Sequence, residues 1–381
     1  MAHSRRYSWG MMTDSQAPRL ILAPLKGFTD VIFRNTFAKH FDGFDSAMAP
    51  FVATVAADRL TDKHVRDLQP HQNTRMPIEP QILGNTAEDF IFLSRRLFDM
   101  GYPDVNWNLG CPFRPVTKKR RGSGLLPFPE QVDEFLSKTL PALPGRLSIK
   151  MRLGRNTPDE ILRLLPVLNR YPLKEITIHP RTARQMYEGR PDLDMFQTCL
   201  EQIRHRVVYN GDITDLQGFQ TLAARFPPVD SWMIGRGALS NPFLPGMIRS
   251  DRDGVGRKTE KFKAFYEELF ARYQERLCGP GHLLNHMKGF WTYFAAAFEN
   301  GQDIQKRIHR SFTLPRYLET VECFFKETAG WREEATPAAS GEGGFLSGAI
   351  TPCQTARPPI GGTSGLVTSS PSTPRTRRFR A

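Results

Sequence analysis

The sequence predicts an α/β chain, a (β/α)8 TIM barrel followed by a small all-helical domain. Three observations predict it. Between Leu20 and Ile248, eight short runs rich in apolar or β-branched residues alternate with stretches long enough for helices. The first run is not followed by GxGxxG, the mark of a doubly wound sheet. From Thr259 to Trp331 the pattern is wholly helical.

Residues 1–17 form a polar lead-in. The eight runs are Leu20–Pro24, Asp45–Pro50, Glu79–Gly84, Asp104–Gly110, Leu147–Gly154, Glu175–Arg181, Val207–Ile213 and Ser231–Leu239. Buried strands separated by helices form a parallel sheet, and eight such repeats match the size of a closed barrel. Among the helices, Thr86–Met100 opens on an N-cap type with Glu88 and Asp89 in its first turn. Thr157–Tyr171 opens Thr-Pro-Asp-Glu, with proline expected at the first helical position. An open doubly wound sheet is the competing architecture, and Leu22-Ala23-Pro24-Leu25-Lys26-Gly27 argues against it. The barrel is expected over 18–250, a charged linker over 251–258 and the helical domain over 259–331. In that last segment Phe262, Phe265, Tyr266, Leu269, Phe270 and Tyr273 recur at helical spacing, as do Leu283, Leu284, Met287, Trp291 and Phe294. The Pro, Gly, Ser and Thr of 332–381, with a basic end, predict a disordered tail.

The formal net charge is +13, which points to a polyanionic partner, nucleic acid before an anionic membrane. The five cysteines stand at 111, 199, 278, 323 and 353, without a CxxC pair or zinc-like spacing, so neither a disulfide framework nor a metal is expected. No apolar run is long enough to span a bilayer, and the first residues lack the apolar core of a signal peptide. A reducing, cytoplasmic setting is expected.

In such a barrel, chemistry gathers at the C-terminal ends of the strands. Those ends carry Pro24-Leu25-Lys26, Gln81, Asn108 with Cys111, Lys150 with Arg152, His179 with Arg181, Asn210 with Asp212, and Gly235-Arg236-Gly237. Polar residues there are costly unless paired or serving a ligand. Asn210-Gly211-Asp212 and Gly235-Arg236, after the last two strands, suit the phosphate of a cofactor. Lys150 reads either as a contact to an isoalloxazine ring, beside Gln81, or as a buried ion pair with Asp212. Cys111 reads as an acid, because a thiol of ordinary pKa about 8.5 is protonated at neutral pH. A nucleophile, which needs an activating base, and an inert structural cysteine are the alternatives. Lys118, Lys119, Arg120 and Arg121 follow it, and the glycines after them favour contact with a phosphate backbone over a plain solvated run.

Several segments resemble the tRNA-dihydrouridine synthases. They are Ala23-Pro24-Leu25-Lys26-Gly27-Phe28-Thr29-Asp30, Gln81-Ile82-Leu83-Gly84, Val105-Asn106-Trp107-Asn108-Leu109-Gly110-Cys111-Pro112, Ile149-Lys150-Met151-Arg152-Leu153-Gly154, Ile178-His179-Pro180-Arg181-Thr182, Asn210-Gly211-Asp212-Ile213 and Met233-Ile234-Gly235-Arg236-Gly237. They stand in the family's order and cover most of 20–240. The resemblance implies an FMN barrel and a helical domain that together grip tRNA, with NADPH as reductant and no obligate protein partner, in a monomer. It implies that Pro24, Leu25 and Lys26 lie along the flavin and that Gln81, Lys150 and His179 contact its ring or ribityl chain. Asn210, Gly211, Asp212, Gly235 and Arg236 would hold the ribityl and phosphate. Asn108, Arg152 and Arg181 would face the substrate, with Lys118 to Arg121 and Lys288 on the tRNA. Cys111 would be the proton donor to uracil. Leu25 stands where the family often has Met. Two rival readings remain, a flavoenzyme for a free small molecule and a non-catalytic RNA-binding barrel.

Overall fold

The computed structural model describes residues 17–56, 59–253 and 256–332. Residues 1–16 of the lead-in and residues 333–381 of the tail, its basic end included, lie outside them.

Ten strand segments pair in parallel: β1 (Arg19–Leu22), β2 (Ser46–Met48), β3 (Val52–Ala53), β4 (Ile78–Glu79), β5 (Gln81–Leu83), β6 (Asp104–Leu109), β7 (Arg146–Gly154), β8 (Ile176–Thr182), β9 (Val207–Tyr209) and β10 (Ser231–Ile234). They amount to eight barrel strands. β2 and β3 are halves of one strand broken at 49–51, and β4 and β5 are halves of another broken at Pro80, which has no N–H to give a ladder. β2 pairs with β4 and β3 with β5, while β1 pairs with β10 on one side and β2 on the other. The ring therefore closes. The second strand resumes beyond Pro50, where the sequence pattern ends it. The eighth stops at Ile234 rather than Leu239, because Gly235 turns the chain directly into a helix.

Nine helices flank the strands among the described residues: α1 (Val31–His40), α2 (Ala87–Asp99), α3 (Arg114–Thr117), α4 (Pro129–Thr139), α5 (Glu160–Leu168), α6 (Leu193–Gln202), α7 (Leu216–Arg225), α8 (Arg236–Ser240) and α9 (Leu244–Ser250). Then come α10 (Lys258–Arg276), α11 (Pro280–Phe294), α12 (Gly301–His309) and α13 (Leu314–Cys323). α5 starts at Glu160, two residues later than the Pro158 that its Thr-Pro-Asp-Glu opening predicts. The Glu160 carboxylate accepts the N–H groups of Arg155, Asn156 and Thr157, which holds that stretch as a turn.

Strand alternation decides what enters the lumen. Val105, Trp107 and Leu109 of β6 pack outward, with Trp107 stacked on Phe135 of α4 at 3.9 Å. Asn106 and Asn108 point inward, as do Ser148, Lys150 and Arg152 of β7 and Thr177, His179 and Arg181 of β8. β1, β2, β9 and β10 instead line the lumen with Ile21, Ala23, Met48, Val208 and Met233, an apolar cluster of their own. The lumen is apolar on one side and polar on the other.

The C-terminal helices close over α1 and the barrel mouth through aromatic contacts. Phe265 of α10 meets Phe33 edge-on at 6.0 Å, and Phe290 of α11 stacks on Phe33 at 5.7 Å. Phe28, just past β1, sits edge-on to both Phe290 and Tyr293. Tyr273 donates to Asp30, the N-cap of α1, at 2.7 Å. Burial, with Asp67 adding repulsion, raises the Asp30 carboxyl to about 6. No helix among the described residues is long and apolar enough to cross a membrane.

Candidate active site

Cys111 is held from two sides at the end of β6. The Asn108 side-chain oxygen accepts the N–H groups of Gly110 and Cys111 at 3.0 and 2.9 Å. From the other side, the Cys111 carbonyl accepts the Ser123 N–H at 3.1 Å and its hydroxyl at 2.8 Å. Gly122 makes this approach possible. Its φ is +56°, and a Cβ there would lie 2.8 Å from the Cys111 carbonyl oxygen. Burial raises the Cys111 thiol, against the Phe113 N–H and the fields of Arg152, Lys26 and Lys150. It is therefore a protonated thiol at neutral pH, and the described residues supply no hydrogen-bonded base to make it a nucleophile.

Behind Asn108 runs a directed chain of hydrogen bonds. Asn108 Nδ2 donates to Gln81 Oε1 at 2.7 Å, and Gln81 Nε2 to Asn106 Oδ1 at 2.7 Å. Asn106 Nδ2 donates to Ser148 Oγ at 2.6 Å, and Ser148 donates to Glu79 Oε1 at 2.7 Å. Asn106, Ser148 and Glu79 were not singled out from sequence, although polar residues at period two in otherwise apolar strands would have marked the first two.

Lys150 projects into the polar side of the lumen. The expected alternative, an ion pair with Asp212, is absent, because Asp212 is bound by Arg181 at 2.5 Å and Arg236 at 2.7 Å. Among the described residues Lys150 Nζ has no hydrogen-bond partner or acid. Burial, reinforced by Arg152, lowers its ammonium to about 7. Burial and the neighbouring cations also push His179 well below the ordinary imidazole value, so it is neutral. Arg152 gives its N–H groups to the carbonyls of Gly110, Thr182 and Met186, tying the Cys111 loop to the loop after β8. Burial lowers it to about 10, and it stays a cation. Tyr187, which sequence reasoning missed, lies on that loop. Arg236 is 4.6 Å from its ring centroid, Arg152 is 5.3 Å away, and His179 packs at 6.2 Å.

Arg181 is a correction. It was expected to face substrate, but it is 1% exposed and all five of its N–H donors have acceptors inside the chain. They go to Glu188 O, Gly189 O, His179 and both oxygens of Asp212. Its work is to fix Asp212, which in turn orients Arg236. Beside them Asn210 donates to Met233 O at 2.8 Å. Gly211 is required by close approach, since a Cβ would lie 2.2 Å from the Tyr209 hydroxyl oxygen. Across this corner a Cβ on Gly235 would lie 3.3 Å from the Ala23 Cβ and 3.7 Å from the Leu25 side chain, and the Leu25 N–H after Pro24 donates to Thr29 at 2.8 Å. Lys26 lies over the Phe51 ring at 4.9 Å. The corner thus combines an oriented arginine, small residues and an unpaired lysine, a donor set suited to an anionic, planar ligand carrying phosphate.

A family model described as dihydrouridine synthase matches residues 21–329. The chain belongs to the dihydrouridine synthase family. Similar curated proteins include tRNA-dihydrouridine synthase B of Pasteurella multocida, 29% identical over 240 residues, 62% of this chain and 71% of the relative. A probable tRNA-dihydrouridine synthase of Staphylococcus epidermidis is 25% identical over 323 residues, 81% of this chain and 94% of the relative. Among solved structures, morphinone reductase in complex with tetrahydroNAD superposes on 64% of this chain and 90% of that chain, with a TM-score of 0.45 and 12% identity.

In this dihydrouridine synthase family member the four cations after Cys111 are not equivalent. Arg121 donates to Asn85 at 3.0 Å, and Arg120 lies 4.6 Å from the centre of the Phe128 ring. The ammonium groups of Lys118 and Lys119 are exposed and have no side-chain partner among the described residues. Lys288 is on α11, away from this loop, and donates to the His309 carbonyl at 3.2 Å.

Proposed function

We propose that the chain reduces the C5=C6 bond of uridine in tRNA, using FMN reduced by NADPH, with Cys111 as the proton donor. The observation that carries the reading is the Cys111 thiol, kept protonated and clamped at a barrel mouth that also holds the unpaired Lys150. When bound, reduced FMN supplies the hydride to uracil C6. Cys111 Sγ gives its proton to C5, and the clamp by Asn108 and Ser123 fixes where that proton is delivered.

The chain's own residues divide the binding. Arg236, oriented by Asp212, takes the phosphate, with Asn210 and the Gly211 and Gly235 backbone beside it. Lys150 Nζ meets the ring, and its lowered pKa means that an anionic partner there restores its charge. His179, neutral, contacts the same ligand, while Pro24, Leu25 and Lys26 bound it opposite. Both Nε2 protons of Gln81 are engaged, by Asn106 and by Met48 sulfur at 3.0 Å, so Gln81 offers only an acceptor. Asn108 keeps one N–H free for a uracil carbonyl. A uridine must leave its stack to enter, and Lys118 and Lys119 would hold the neighbouring phosphates.

The test is purified protein with FMN and NADPH acting on an unmodified tRNA transcript, with dihydrouridine mapped by position. Formation at defined positions is expected. No dihydrouridine in tRNA, with turnover on free uracil or a quinone, would overturn the substrate. Protein that takes up no FMN would overturn the catalytic reading.

A further inference from the structure

The turn between α12 and α13 leaves one large apolar side chain in water. Phe312 is 83% exposed, far above Phe92 and Leu318, both 42%, the other large exposed hydrophobics among the described residues. An exposed aromatic on a loose loop would mean little. This one is held rigidly. Ser311, next to it, is buried, with its hydroxyl bonded to Arg307 O at 3.0 Å and to the Thr320 hydroxyl at 3.2 Å. Thr313, on its other side, caps α13 by accepting the Arg316 N–H. The backbone is fixed on both sides of a ring that packs on almost nothing.

Cations outnumber acids around it. Lys306 and Arg307 occupy the last turn of α12, and Arg310 follows. Arg307 lies 4.0 Å from Asp303 and Arg316 of α13 pairs with Glu319, while burial and Lys288 lower the His309 imidazole. Lys288 of α11 donates to His309 O and sits 5.3 Å from the Phe312 ring centre, so one ring face already carries a cation. That leaves the other face open. A π-face backed by an ammonium and flanked by further cations matches a nucleobase with its phosphates, since every base has a π-face and every nucleotide a negative charge. It suits an apolar protein partner poorly, because burying this ring would desolvate the cations without pairing them. Lys288 also adjoins Gly289, whose Cα faces the Phe28 ring at the barrel mouth. α11 thus carries both the platform's backing cation and a residue against the Phe28 ring.

We propose that Phe312 is a stacking platform for an unpaired base of the RNA whose uridine enters the barrel. The inference rests on the tRNA reading above and names a second contact on the same partner. Lys288 becomes the ring's backing cation, where sequence suggested only a phosphate contact.

The experiment compares the FMN-loaded wild type with Phe312→Ala, Phe312→Leu and Phe312→Trp. Binding of an unmodified tRNA transcript is measured across a salt series. Because the ring is exposed, all four proteins are expected to melt together. Loss of one stacked base weakens binding roughly 5- to 150-fold in the Ala and Leu variants. The slope of log affinity against log salt stays unchanged, because no phosphate contact is removed. Phe312→Trp retains affinity, and its added fluorescence, read against the wild-type tryptophans, is quenched by RNA. Full affinity in Phe312→Ala overturns the platform, as does Phe312→Leu binding like wild type. Added fluorescence in Phe312→Trp that is indifferent to RNA overturns it too. If wild type makes dihydrouridine while Phe312→Ala binds normally, the platform alone fails. If wild type makes none while the added indole signal is still quenched, the uridine-reduction reading fails and the platform stands.

Discussion

Lys150→Met, made in the flavin-free protein, tests whether the barrel keeps an unpaired ammonium ready for a ligand. The side chain is replaced at similar volume with its charge removed. In the folded chain burial lowers Lys150 from 10.5 to about 7. Each unit corresponds to about 1.36 kcal/mol, so the protonated lysine destabilises the fold by up to about 5 kcal/mol. The sign follows from proton counting. Between about pH 7 and 10.5 the unfolded chain binds more protons at this site than the folded one, so folded stability rises with pH across that window. Below pH 7 both states are protonated and the penalty is present in full. Above 10.5 both are neutral and it vanishes. The expected result in urea unfolding is that Lys150→Met is more stable than wild type at pH 7, by a few kcal/mol. The gap should close progressively towards pH 10. Adding FMN should narrow the gap at pH 7 as well, because an anionic ligand stabilises the charged lysine of wild type alone. A gap independent of pH would refute the desolvated lysine. A variant less stable than wild type at pH 7 would show that Lys150 is paired after all.

Three further outcomes follow from the same geometry. Cys111→Ala should retain FMN but lose most dihydrouridine formation, and in wild type the raised thiol should be alkylated more slowly than an ordinary cysteine at neutral pH and speed up only at higher pH than a free thiol does, read by mass spectrometry. Lys118→Ala with Lys119→Ala should lower the salt slope of tRNA binding by about 2, close to the full effect of replacing all four cations, because Arg120 and Arg121 are anchored within the chain. Gly122→Ala, at positive φ and against the Cys111 carbonyl, should cost about 1–3 kcal/mol and lower kcat more than KM, measured by unfolding and by dihydrouridine assay.

The strand ends were legible because they combine two simple rules, a period of alternation and a position along the strand. Lys150, His179, Asn210 and Arg236 all lie where those rules put them. The strand boundaries were less so. Pro50 looks like a terminus, yet the ladder resumes at Val52, because Ala49 and Thr54 still donate to Glu79 and Leu83 across the break. The clamp on Cys111 was illegible for a different reason. Ser123 is twelve residues away, and the chain between forms a short helix and a turn, so no local pattern connects the two. Arg181 shows the opposite failure. Its motif and strand-end position both suggested a ligand, and only the count of its occupied donors shows that the guanidinium is bonded within the chain, to Asp212 among others.

The polar half of the lumen follows from what lies at its far end. Glu79 is half-buried with Lys174 3.5 Å away, and desolvation raises its carboxyl although Lys174 opposes this. As an anion it can only accept, so Ser148 must donate to it, and Asn106 must then donate to Ser148. Each amide in turn has its oxygen left facing the next one up the barrel, through Gln81 to Asn108. The last of these oxygens is the one that receives the Gly110 and Cys111 N–H groups. A flipped amide anywhere in the series would set two donors or two acceptors against each other in a low dielectric, at a cost of about 1–3 kcal/mol. The orientation of the Cys111 loop is therefore determined by a carboxylate several residues below it on a neighbouring strand. Apolar replacements inside the barrel would remove the desolvation cost of these groups, but they would leave Asn108 free to turn and the thiol without a fixed direction.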